Sequence, residues 1–165
     1  MRRIIFSLAM IIAIALAASH AYAKKEVLRV PGGANIPSLG ISIDASYDPR
    51  LDNFVPGYKV INVALINQGF SIIYLDPEKD KWQIKLAGKS KLINAIHDLR
   101  RTDPEAWNKI PKRARALVGY PLVLPIGARE VIDIFVPDSV DVEKFNELDI
   151  YLRLRNTRLQ ILVRQ

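Results

Sequence analysis

The chain has 165 residues, 24 Lys and Arg against 17 Asp and Glu, a formal net charge of +7, and no cysteine. The missing cysteine excludes a disulfide framework, a thiol nucleophile and a zinc–thiolate site, and also the residue that would carry a lipoprotein anchor. This length suits one domain whose core needs no covalent staple.

The first 23 residues read as an export signal. Arg2 and Arg3 form a positive start, residues 4–18 are an apolar run interrupted by Ser7, and Ala21-Tyr22-Ala23 is a small-x-small exit before Lys24-Lys25. That order is the secretory pattern. The run of about 15 residues is short of the roughly 20 that a spanning helix needs. Cleavage after Ala23 leaves residues 24–165 as a single domain of 142 residues, with 22 basic against 17 acidic side chains. The expected location is the periplasm or the medium. No later apolar run approaches spanning length, so no transmembrane segment is expected in the mature chain. A net positive chain outside the cytoplasm meets anionic lipid, cell-wall polymers and acidic proteins rather than nucleic acid.

Strand signals follow. Val27, Leu28 and Val30 precede a Pro31-Gly32-Gly33 turn, and Leu39, Ile41, Ile43 and Ala45 then alternate with polar residues or glycine. Residues 48–57 carry two prolines and read as a loop. Residues 58–66 (YKVINVALI) are apolar on both faces, which predicts a strand in the middle of a sheet or between two layers. Asn67-Gln68-Gly69 turns the chain into a second apolar strand over 70–75. Residues 76–81 (DPEKDK) read as a solvated charged turn, before Trp82, Ile84 and Leu86 alternate with Gln83 and Lys85.

The period then changes. Leu92, Ala95, Ile96 and Leu99 recur at three and four, with Ser90 placed to cap a helix. Asp103-Pro104-Glu105 opens a second helix with cap, first-turn proline and a carboxylate at the positive dipole end. Ala106, Trp107 and Ile110 form its apolar side and Pro111 interrupts it. Residues 90–118 are therefore expected to be a two-helix insertion. Strands return at 122–124 and 129–136. Leu148, Ile150, Leu152 and Leu154 alternate with polar residues, and Asn156-Thr157 turns that strand into Leu159, Ile161 and Val163. The pattern predicts a mainly β protein, an immunoglobulin-like antiparallel β-sandwich carrying the helical insertion.

Catalytic signals are weak. His97 is the mature chain's sole histidine, on the polar side of the expected helix, and no nucleophile elbow, P-loop or dinucleotide fingerprint occurs. Asp76, Glu78 and Asp80 have the spacing that starts a calcium loop, but Lys81 and Ala87 stand where that loop needs Gly and Glu. No catalytic residue, metal or cofactor is expected.

Charge is the stronger signal. Residues 79–115 hold eleven Lys and Arg against four acids, with a tight set of Lys109, Lys112, Arg113 and Arg115 beside Trp107. Cations next to an aromatic suit phosphate or carboxylate groups, although a solvated helix face has the same composition. If Asn156-Thr157 is a two-residue turn, Arg153, Arg155 and Arg158 share one strand face, where they either bind acid or protect an edge. The expectation is a non-enzymatic binding or accessory module of the bacterial cell envelope, directed at an anionic envelope component or an acidic protein. The sequence leaves its oligomeric state open. The alternatives are a chaperone-like protein that binds through a strand edge and a hydrolase using carboxylates such as Asp44 and Asp76.

Overall fold

The computed structural model describes residues 26–52 and 54–163, so the expected export signal lies outside the described residues. The described chain is mainly β. Its strands are β1 (Glu26–Pro31), β2 (Asn35–Ile36), β3 (Ile41–Tyr47), β4 (Tyr58–Asn67), β5 (Ile73–Tyr74), β6 (Lys81–Leu86), β7 (Ile93–Ala95), β8 (Val123–Leu124), β9 (Arg129–Pro137), β10 (Phe145–Leu152) and β11 (Thr157–Leu162). Three short helices, α1 (Leu99–Thr102), α2 (Pro104–Lys109) and α3 (Lys112–Arg115), lie between β7 and β8. Among the described residues no helix is long and apolar enough to cross a membrane.

The strands form a five-stranded sheet in the order β1-β11-β10-β6-β7, a four-stranded sheet β2-β3-β4-β9, and a two-stranded ribbon β5-β8. Among the described strands only β1 pairs in parallel, along β11. Ile43, Val63 and Ile132 of the four-stranded sheet lie in one buried cluster with Trp82, Ile84, Ile150 and Leu159 of the five-stranded sheet. The two sheets thus bury a common core, because alternating apolar residues on each turn the same way.

The double-faced pattern of β4 has a direct cause. It is central in its sheet, between β3 and β9. Ile61, Val63 and Leu65 enter the main core, while Val60, on the opposite face, joins a second buried cluster with Phe135, Leu99, Ala106 and Ile110. The same logic explains β9, where Ile134 faces the main core and Phe135 the second cluster. The helices therefore cover the outer face of the four-stranded sheet at one end.

Helix α2 starts as its sequence dictates: the Asp103 carboxylate accepts from the Ala106 N–H at 3.0 Å, with Pro104 in the first turn. The helix expected from 90 does not form. Residues 93–95 are strand β7 on the edge of β6, with Gln83 donating to the Asn94 side chain at 2.7 Å. Ile96 then exchanges two 2.8 Å backbone hydrogen bonds with Phe135 of β9. Those long-range pairings outweigh the local helical spacing, and helix begins only at Asp98, whose side chain accepts from the Arg101 N–H.

The apolar strand expected over 70–75 shrinks to the two residues of β5, and Phe70 is fully exposed. The turn before it is rigid. Gly40 (φ +64°) and Gly69 touch so closely that a Cβ on Gly40 would sit 2.6 Å from the Gly69 Cα. Glycine is required there by both backbone angle and space.

Phe135→Ala should cost about 3–5 kcal/mol, since it opens a cavity beneath all three helices. Urea unfolding at neutral pH measures it. A loss under about 1 kcal/mol would mean that the second cluster contributes little to the fold.

Candidate functional site

A buried carboxylate organises the site region. Asp80, expected in a solvated turn, is 4% exposed. Its Oδ2 accepts from the Asp76 N–H at 2.8 Å and from the Tyr120 hydroxyl at 2.9 Å, and its Oδ1 accepts from the Arg153 N–H at 2.7 Å. The Trp82 indole N–H donates to the Tyr120 oxygen at 3.2 Å, and the His97 ring lies 4.6 Å from that of Tyr120. The Nε2 of His97 is 3.0 Å from the Pro77 carbonyl, so it is the protonated nitrogen and the donor. Burial, with the Asp80 charge beside it, pushes the Tyr120 hydroxyl far above its ordinary value. Burial pulls His97 below 6.5, against the opposing pull of its Pro77 hydrogen bond.

This network forms the back of a hollow of about 310 Å³. Trp107 and Tyr120 give it aromatic walls, Val118 and Leu122 apolar ones, and Arg100 and Arg115 two cations. Arg115 is braced: its Nε donates to the Ile110 carbonyl at 2.8 Å and its Nη2 to that of Asn108 at 2.7 Å. Asp98 is the acid of the lining, and one of its oxygens is committed to capping α1. A guanidinium held by carbonyls beside an indole is arranged to meet a carboxylate or phosphate at little entropic cost. A second hollow of about 270 Å³ shares Pro77 and Asp98, but there Arg101 is paired with Glu78 at 2.9 Å.

Of the expected binding residues, Trp107 and Arg115 line the 310 Å³ hollow, and Arg100 joins them. Lys109, Lys112 and Arg113 are exposed outside that lining. The second set does not gather. Residues 153–155 form a 3-10 turn instead of strand, and Asn156 takes a left-handed conformation at φ 48°. The register consequently places Arg158 opposite Tyr151, not Arg155. Arg158 forms a two-pronged pair with Asp149, Nε at 2.8 Å and Nη2 at 2.7 Å, and Arg153 contributes its backbone N–H to Asp80. The expected cationic face is therefore a compensated one, with Arg29 paired to the buried Glu147 as well.

Sequence reasoning did not single out Arg100 or Tyr120 and read Asp80 as part of a solvated turn; Arg100 was one cation among the eleven of 79–115, and Tyr120 is an aromatic within an otherwise aliphatic stretch. The carboxylates proposed for hydrolysis sit apart in role: Asp44 lines a depression of about 220 Å³ with Arg129 and Val131, whereas Asp76 accepts from the N–H groups of its own turn. Among the described residues no group of three His, Asp or Glu side chains is placed to hold a metal ion. No family model, curated protein or solved structure matches the chain.

The depressed His97 makes stability depend on pH. Between its folded value and 6.5 the unfolded chain binds a proton that the folded chain refuses, so stability falls as pH drops below 6.5. Asp133, raised by burial, works the opposite way at lower pH. The difference between the native protein and His97→Gln should isolate the histidine: urea midpoints measured from pH 5 to 8 should fall on acidification in the native protein and flatten in the variant. Parallel profiles would refute the burial argument.

Proposed function

We propose that this chain is an exported, non-enzymatic binding module of the bacterial cell envelope, built as an immunoglobulin-like β-sandwich, that holds an anionic group in the Arg100–Arg115 hollow. One observation carries the reading: two guanidinium groups and an indole surround a single concavity with an apolar wall. The pattern of the signal region supports export, and the overall positive charge supports an anionic partner. The strand order supports the fold assignment. β3, β4 and β9 neighbour one another as the A, B and E strands of such sandwiches do, and β6, β10 and β11 as C, F and G do. The chain crosses between the sheets from β4 to β6 and from β9 to β10.

A second reading, addition of a partner's strand at β9, has its own support. Both backbone groups of Phe135 point to Ile96, so the alternate residues Val131 and Asp133 also turn their N–H and C=O away from β4. Val131 is exposed.

Three variants separate the readings. Titration with polyphosphate at low ionic strength should give saturable binding that collapses at 0.5 M salt, about five times the ionic strength at which exposed charges are screened beyond about 10 Å. Arg100→Glu should weaken it by about tenfold, the worth of one charge-assisted hydrogen bond, and Lys109→Glu should leave it unchanged. Equal effects of the two reversals would remove the hollow from the account. If the strand-edge reading holds instead, Val131→Pro, which deletes an outward N–H, should release a partner retained from an envelope extract while Arg100→Glu keeps it.

A further inference from the structure

The ribbon of β5 and β8 carries the largest run of exposed apolar side chains, and its inner side explains why it stays in place. Ile73 and Leu124, paired across the ribbon, are buried in the main core. Tyr74 and Val123, the adjacent pair, both face out, at 57% and 43% exposure. Ile72, Leu122 and Ile126 extend the outward surface, and Phe70 stands fully exposed at the end of it. A phenylalanine with no cover leaves roughly 150–250 Å² of burial unrealised, and clustered apolar exposure of this kind marks an interaction surface.

The base is fixed by Asn67. Its buried side chain donates to the Ser71 carbonyl at 2.9 Å and the Leu124 carbonyl at 3.0 Å, and accepts from the Gly69 N–H at 3.0 Å. Its backbone closes onto 127–128 through two bonds of 2.9 Å. The ribbon is therefore braced on the main core with its outer face exposed.

Charge surrounds the ribbon without entering it. Residues 60–75 and 116–128 contain no charged side chain, and the second stretch is bounded by Arg115 and Arg129. Arg115 meets the ribbon through Leu122, which lines the same hollow. Asp76, at the end of the first stretch, is occupied by the N–H groups of Glu78 and Lys79. Glu130 lies on the opposite face of β9 from Arg129, and Asp44 is the one acid that shares Arg129's depression. An apolar prong, an amphipathic tyrosine and a cationic border match the layering of a lipid interface, acyl chains beneath headgroups. A second copy of the chain is a poorer fit, since six side chains fall well short of the roughly 20–30 residues a side in a stable interface.

We propose that the outward face of the β5–β8 ribbon inserts into the interface of an anionic lipid bilayer, with Phe70 at its Asn67-braced end and Arg115 and Arg129 at the level of the headgroups. This rests on the reading of the Arg100–Arg115 hollow as an anion site and makes a lipid phosphate its source.

The test uses protein recovered from the envelope fraction of expressing cells, with its N-terminus read by mass spectrometry so that all variants share it. Sedimentation with vesicles of phosphatidylcholine plus 30% phosphatidylglycerol, a proportion of roughly one anionic lipid in three chosen to give a surface potential, is compared with phosphatidylcholine alone. Binding is expected only to the anionic vesicles, reduced about tenfold by Phe70→Ser. Phe70→Trp should be quenched by brominated acyl chains, over the background of Trp82 and Trp107. Phe70→Ser should keep its affinity for polyphosphate, which also shows that it folds. Vesicle binding that Phe70→Ser leaves intact would overturn insertion, as would concentration-dependent dimerisation abolished by the same variant. If polyphosphate binds and anionic vesicles do not, insertion fails and the anion site stands. If vesicles bind through Phe70 and polyphosphate does not, insertion stands and the hollow is not the anion site.

Discussion

A carboxylate taken out of water must be met by donors, because an ionised group left unpaired in a protein interior costs several kcal/mol. Asp80 meets three, and each comes from a different part of the chain: its own turn, Tyr120 and the 3-10 turn at Arg153. The fold is thereby tied at a point where sheet, helical segment and the β10–β11 connection converge. Tyr120 in turn lines the hollow and takes the Trp82 indole. If Asp80 lost its donors, the aromatic back of the hollow would lose its reference, and Pro77, held against His97, would go with it.

The same rule sorts the arginines. A count of charges along the sequence marks both 79–115 and 153–158 as basic, yet the fold treats them differently. Arg158 is spent on Asp149, and Arg29 on Glu147, both acids buried on β10. Arg101 is spent on Glu78. Among the described residues Arg115 is held by carbonyl oxygens alone, which orient a guanidinium without neutralising it. Net charge says little about where an anion goes; compensation decides it.

How much of this was legible follows from how local each determinant is. The strand β4, the alternation in β9 and the Asp103-Pro104 start of α2 depend on neighbours a few residues away, and they stand where their patterns put them. The segment 90–98 was not legible, because its apolar spacing fits either outcome: Ala95 faces the main core beside β6, while Ile96 and Leu99 join the second cluster. What decided it was the open edge of β6 and the backbone of Phe135. Asp80 looked solvated because the residues that bury it lie 40 and 73 positions away. The shared face of Arg153, Arg155 and Arg158 depended on a two-residue turn at Asn156-Thr157; the 3-10 turn at 153–155 shifts the register and brings Asp149 within reach of Arg158.

The proposed binding surface gains its coherence from connection, not from size. Leu122 belongs to both the hollow and the ribbon, and Tyr120, two residues before it, is fixed by Asp80. Displacement of the ribbon would therefore be felt at the hollow through a short, hydrogen-bonded stretch of chain. On the other side, Asn67 and the Gly40–Gly69 contact fasten the ribbon to the end of β4. A rigid base matters for the proposed role, since an apolar segment that could fold back would bury itself on its own protein first. The bracing that keeps Phe70 from the core is what leaves its surface free for a partner.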